Sequence, residues 1–103
     1  MRYLSHAVLH AGKIYRQSLV EITDGIVRIE RFTDEVHSTV FVSGIIAIVA
    51  RDRITNSQLS RLDHIVKDAP LVEMAIKRAM RYLLSQNLFA GEEEAPRIVT
   101  IQR

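Results

Sequence analysis

The sequence predicts a single α+β domain over residues 1–103: a mostly antiparallel sheet of about five strands, four N-terminal and one C-terminal, with two helices packed on one face. Three observations lead there. Apolar residues recur at a spacing near two through the first fifty positions and near 3.6 from Thr55 onward. The most apolar stretch, Val40 to Ala50, loses all polar alternation after Gly44. A chain of 103 residues, 48% hydrophobic and 25% charged, supports one core and is too short for two.

Residues Tyr3 to Ala11 alternate imperfectly, with Leu4, Val8 and two histidines on one parity, and read as a first strand that Gly12-Lys13 breaks. From Ile14 to Thr23 a second strand sets Ile14, Val20 and Ile22 on one face and Tyr15, Gln17 and Glu21 on the other. Asp24-Gly25 then separates it from Ile26-Val27-Arg28-Ile29-Glu30. An Asp-Gly pair accepts the positive φ angles of a two-residue type I′ turn, so a β-hairpin is expected. Its returning strand turns Val27 and Ile29 to one side and Arg28 and Glu30 to the other, which leaves an apolar face in need of cover.

Thr33-Asp34-Glu35 reads as a polar turn, after which His37, Thr39 and Phe41 alternate with Ser38, Val40 and Val42. Gly44 weakens a strand interior unless it marks a bulge or bend, so the sheet should curve or shift at Ser43-Gly44. The stretch therefore has two parts, a half-exposed Val40-Phe41-Val42 and a segment Ile45 to Val49 buried on both faces, as only a central strand is. Burying each of its large aliphatic side chains contributes about 1.5–3 kcal/mol, together comparable to the net stability of such a domain.

Arg51-Asp52-Arg53 returns the chain to water. Thr55-Asn56-Ser57-Gln58 has the form of a capping box and starts a helix whose stripe is Leu59, Leu62, Ile65 and Val66. Pro70 disfavours helical geometry at Ala69, so this helix ends near Lys67-Asp68, with Asp68 placed to cap a second helix over about Pro70 to Leu88. Its apolar stripe is Val72, Ile76, Ala79, Met80, Leu83 and Leu84, against Glu73, Lys77, Arg81 and Ser85 on the opposite side. Gly91, three glutamates and Pro96 form a polar loop before a last strand, Arg97 to Gln102.

The absence of cysteine excludes disulfides, thiolate catalysis and Cys-based metal sites, and fits a cytoplasmic protein. The longest apolar run after Gly44 is far below the roughly 18 residues of a membrane helix, and His6 and His10 interrupt any signal-peptide core. Lys+Arg 14 against Asp+Glu 12 is near balance, and only residues 51–81, with seven basic and four acidic groups, hint at a basic face.

His6 and His10 could share an ion on a helix, but on a strand the same spacing separates them by roughly 13 Å, so no metal is assigned. Glu35 and His37 share a strand parity and could meet as an acid–base pair, but such a pair is common by chance and reads as a solvated strand end, and Asp63-His64 faces the same objection. No nucleophile elbow, Gly-rich phosphate loop or catalytic carboxylate pair is present, so neither catalytic residues nor a cofactor are assigned. Lys77, Arg78 and Arg81 could meet nucleic acid, although Glu73 offsets part of that charge and Tyr82 is the single aromatic nearby. Leu71, Met74, Leu88 and Phe89 extend apolar surface beyond the main stripe of the second helix, as an oligomer contact would.

Between Ser18 and Val49, Ser18-Leu19-Val20-Glu21-Ile22-Thr23-Asp24-Gly25, then Ile26-Val27-Arg28-Ile29, then Val42-Ser43-Gly44-Ile45-Ile46 follow one another. This third of the chain resembles the N-terminal β-subdomain of amidohydrolase-type metal-dependent hydrolases. The family continues with an acidic residue and metal-binding histidines, where this chain has Ala47, Ile48 and Val49. What the resemblance implies is therefore a strand layout without the catalytic apparatus, and no active-site residue carries across.

The functional expectation is a non-catalytic interaction or assembly module, self-associating or binding another protein through a sheet edge or the Leu71, Met74, Leu88 and Phe89 surface, with Lys77, Arg78 and Arg81 beside it. The alternatives are a small-molecule binder or accessory subunit, with His6, His10 or His37 near a pocket, and a weak nucleic-acid binder using the basic face of the second helix. Fold alone does not choose among them.

Overall fold

The computed structural model describes residues 2–32 and 38–103. In chain order its elements are β1 (Arg2–His10), β2 (Lys13–Thr23), β3 (Ile26–Arg31), β4 (Thr39–Ala50), α1 (Asn56–Asp68), α2 (Val72–Ser85) and β5 (Pro96–Gln102). The polar turn expected at Thr33-Asp34-Glu35, and His37 with it, lies outside the described residues.

The five strands form one α+β sheet in the order β3-β2-β1-β4-β5. It is mixed: β1 and β4 run parallel, and the other neighbours run antiparallel. A simple meander would have placed β4 outside β3. Its second half is apolar on both faces, and only a position between β1 and β5 buries both.

Two tight turns build the N-terminal half. Asp24 and Gly25, with φ of 52° and 76°, join β2 to β3 with Thr23 opposite Ile26, as the type I′ expectation requires. Ala11 and Gly12, with φ of 50° and 77°, do the same between His10 and Lys13, one residue earlier than the sequence break suggested.

The sheet then folds over on itself along one line. On β4, Ser43 and Gly44 together face the single residue His6 of β1, so the ladder shifts between Ser5 and Ala7. On β2, Gln17 takes a φ of 47° at the same level. The hydroxyls of the buried Ser5 and Ser18 donate to the carbonyls of Ala7 and Arg16, at 2.7 and 3.0 Å, along their own strands at this corner. Gly44 is required there because a Cβ would fall inside the van der Waals shell of the Ile101 carbonyl oxygen.

The corner gives the sheet two covered faces. In a flat sheet, four ladder steps of about 4.8 Å would keep β3 roughly 19 Å from β5. Instead Val27 and Ile29 of β3 and Ile98 of β5 pack on one cluster with Val20, Val8, Ile46 and Ile48, so the β2–β3 hairpin lies back across the sheet. On the opposite face, Ala7, Leu9, Ile45, Ala47 and Val49 pack under α1 and α2 through Leu62, Val66, Ile76, Ala79 and Leu83. Gln17 also explains why Ile14 is 39% exposed while Val20, of the same parity, is 1% exposed: the kink between them breaks the alternation.

Thr55 accepts from the Gln58 amide at 3.1 Å and donates its own amide to the Gln58 side chain at 3.0 Å, completing the expected capping box of α1. At the other end, Arg103 donates to the carbonyls of Val66 and Ala69 at 2.8 and 2.9 Å, a cation on the unpaired end of the helix. Asp68 does not cap α2. It is the last residue of α1, Ala69 is extended ahead of Pro70, and the N-cap of α2 is Leu71 with no side-chain bond.

α2 also stops at Ser85, three residues short of the expected end. Asn87 takes a φ of 53°, the Leu88 amide donates to the Leu83 carbonyl at 3.0 Å, and the Asn87 amide donates to the Leu84 carbonyl at 3.2 Å. This Schellman termination carries Leu88 into the core and leaves Leu84 outside, at 1% and 57% exposure.

Candidate functional site

The contact residues expected on and around α2 do not form one surface. Leu71 stands exposed at the helix entrance, Met74 is half-buried against the core, and Leu88 is fully buried, which removes it from any contact surface. Phe89 is half-buried and bridges to Val49, where it closes the core below α2. Lys77, Arg78 and Arg81 are exposed and make no ion pair among the described residues. Arg78 and Arg81 flank a shallow groove with Ile65 and Tyr82, the latter half-buried rather than a free stacking platform. Glu73 faces Arg16 of β2 instead of Lys77, in a two-pronged pair at 2.7 and 2.9 Å.

The histidines separate. His6 lies at the corner, His10 ends β1 on the wall of a cleft, and His64 is exposed on α1. Among the described residues, no group of three or more His, Cys, Asp or Glu side chains could hold a metal ion.

Exposed apolar surface gathers at the corner. Past Gly44, β4 has β5 on one side and β1 on the other. Before Ser43 its only ladder among the described residues is the one to β1: the ladder to β5 ends at Gly44 and Gln102, and Ser43 is tied off by the Arg103 amide at 2.7 Å and by the Gln102 side chain at 3.0 Å. Val40 to Val42 therefore form a short sheet edge with no strand partner among the described residues on that side. Val40 is 39% exposed and Phe41 57%, on opposite sides of that edge. Phe41 meets the His6 ring edge-on, with centroids 6.0 Å apart and planes at 82°, and both line a hollow of about 260 Å³ with Leu4, Gln17 and Phe32. Phe32 is itself 39% exposed, held beside Gln17 by its amide donating to the Gln17 carbonyl at 3.0 Å.

The edge of β3 is different. Its six residues include Arg28, Glu30 and Arg31, all exposed, the charged edge that discourages strand pairing. The β4 edge carries no charge from Thr39 to Val42. An uncharged stretch just ahead of a strand glycine was visible in the sequence, but the end of its pairing with β5 at Gly44 was not, because that depends on where β5 ends.

At the opposite end of the domain, Arg53 joins the β4–α1 connection to the α2–β5 connection. Its guanidinium donates to the Glu94 carboxylate at 2.5 and 3.0 Å and to the carbonyls of Asn87 and Phe89 at 2.5 and 3.2 Å. These bonds, with the Gly91 amide donating to the same carboxylate, hold the Glu94 carboxyl down to about 2. Arg53 is correspondingly held above its ordinary range, first by its bond to Glu94. No helix is long and apolar enough to cross a membrane among the described residues. Comparison with protein-family models, with curated proteins and with solved structures finds no match.

Proposed function

We propose that the domain is a non-catalytic assembly module that pairs with a second copy of itself through the corner edge of β4. The observation that carries this reading is the uncharged edge at Val40–Val42, which has no strand partner among the described residues on its outer side and exposes Val40 and Phe41 on its two faces. An edge of that kind offers main-chain hydrogen bonds to an incoming strand and apolar side chains to seal them. Two copies related by a two-fold axis would pair the same residues with each other, the isologous arrangement of most soluble dimers.

Solution mass tests this directly. The wild-type chain is expected to show a concentration-dependent dimer by sedimentation equilibrium, and Phe41→Lys a monomer with an unchanged melting transition. A wild type that stays monomeric at millimolar concentration, or a Phe41→Lys variant that dimerises equally well, would contradict the reading.

A further inference from the structure

Only Ala69-Pro70-Leu71 separate α1 from α2, and Gln58 at the start of α1 donates its side-chain amide to the Gln86 side chain just past α2 at 3.3 Å. The two helices therefore run antiparallel and are tied at that end. While Leu62, Val66, Ile76 and Ala79 turn toward the sheet, the outer side holds a shallow groove of about 400 Å³ lined by Ile65, Arg78, Arg81, Tyr82 and Ser85. Ile65 and Tyr82, both half-buried, give it an apolar floor.

The charge around this floor is of one sign. No Asp or Glu lines the groove. Of the helices' carboxylates, Asp63 pairs with Lys67 at 3.1 Å and Glu73 with Arg16 of β2. Lys77, Arg78 and Arg81 keep no ion pair among the described residues, and neither does Arg61, exposed one turn before Ile65. Against these four cations stands Asp68 alone, at the end of α1.

We propose that this groove docks an acidic amphipathic helix of another protein. An apolar floor bordered by unanswered cations is the complement of a helix whose apolar stripe is flanked by Asp and Glu. The spacing fits as well. Arg78, Arg81, Tyr82 and Ser85 stand at i, i+3, i+4 and i+7 on one face of α2, about 10 Å along its axis, which is two turns of a partner helix. A nucleic-acid backbone would meet the same cations but gain nothing from Ile65, and the half-buried Tyr82 is a poor platform for a base. The groove uses no residue of the β4 edge, so it is independent of self-association.

The test is fluorescence anisotropy with a labelled peptide designed as a helix, a leucine stripe bordered by glutamates. Parallel probes replace its glutamates by lysine or its leucines by alanine, and a labelled DNA duplex is the fourth. The acidic peptide should bind saturably, with a Kd on the order of 10–100 μM, and shift the amide signals of Ile65, Tyr82 and Ser85 in the isotope-labelled protein. The alanine peptide should bind at least about fivefold more weakly, and the lysine peptide and the duplex more weakly still. Arg78→Glu with Arg81→Glu, both at exposed positions, should leave the melting temperature unchanged and weaken the acidic peptide at least about tenfold. No saturable binding, equal binding of the acidic and lysine peptides, tighter binding of the duplex, or full affinity in the folded double variant would overturn the proposal.

Discussion

In β4, Ile45 to Val49 are sealed between two helices and the β2–β3 hairpin, while Val40 and Phe41, a few residues earlier on the same strand, stand in solvent. The two halves are equally free of charge, and both are built from residues that favour strands. What separates them is the corner at Ser43-Gly44. Beyond it the strand has two ladder partners and two covering layers; before it, β5 has run out and no other strand among the described residues takes its place. Apolar sequence thus reports the need for a partner, and topology decides whether that partner comes from the same chain.

The buried half of β4 is most sensitive at Ile48. Aspartate at this position would bury a charge on the hairpin-covered face with nothing to pair it, at a cost comparable to the whole net stability of a domain this size, about 5–15 kcal/mol. Ile48→Asp should not fold; a soluble variant that melts cooperatively would refute the central placement of the strand.

Gly44→Ala probes the corner itself. The added methyl can be accommodated only by moving β5 away from β4, and the expected loss is about 1–3 kcal/mol in urea unfolding. An unchanged midpoint would mean that the close approach to Ile101 is not needed. A matched pair after α2 sharpens the rule that burial, not hydrophobicity, sets the cost. Leu88→Ala should lose about 2–5 kcal/mol and Leu84→Ala no more than about 0.5 kcal/mol, and equal losses would contradict the helix termination described above.

Much of the ordered half of this contrast was legible in the sequence. Asp24-Gly25, the Thr55–Gln58 capping box and the unbroken run Ile45 to Val49 each carry a local signal, and the structure uses all three as expected. The shift at Gly44 was legible as well, because glycine in a strand has few other reasons. The fold-over was not. It depends on Gln17, a residue whose positive φ no local pattern announces, and on a β1–β4 pairing set by the burial of distant faces. Leu88 was misplaced for a similar reason: helical periodicity continues past Ser85 in the sequence, while Asn87 ends the helix. Of the candidate sites, half-exposure at Val40-Phe41 was readable, but the open edge and the groove between α1 and α2 arise from contacts across the chain.

The smallest effect lies at the domain end held by Arg53. Because the Glu94 carboxyl is lowered from about 4.5 to about 2 in the folded state, its pairing adds stability that is fully present above pH 4.5 and is lost as the pH falls toward 2. Wild type should therefore lose more stability across that window than Glu94→Gln, as seen in urea unfolding at its two ends. Identical pH profiles would show that the Arg53–Glu94 link does not couple the two connections.

Self-association depends on the open edge of β4, and amide hydrogen exchange reads that edge residue by residue. Exchange at Val40 to Val42 should slow as protein concentration rises, while Phe41→Lys should exchange there at a rate independent of concentration. Concentration-independent exchange at Val40 to Val42 in the wild type would contradict the claim that a second copy completes the sheet.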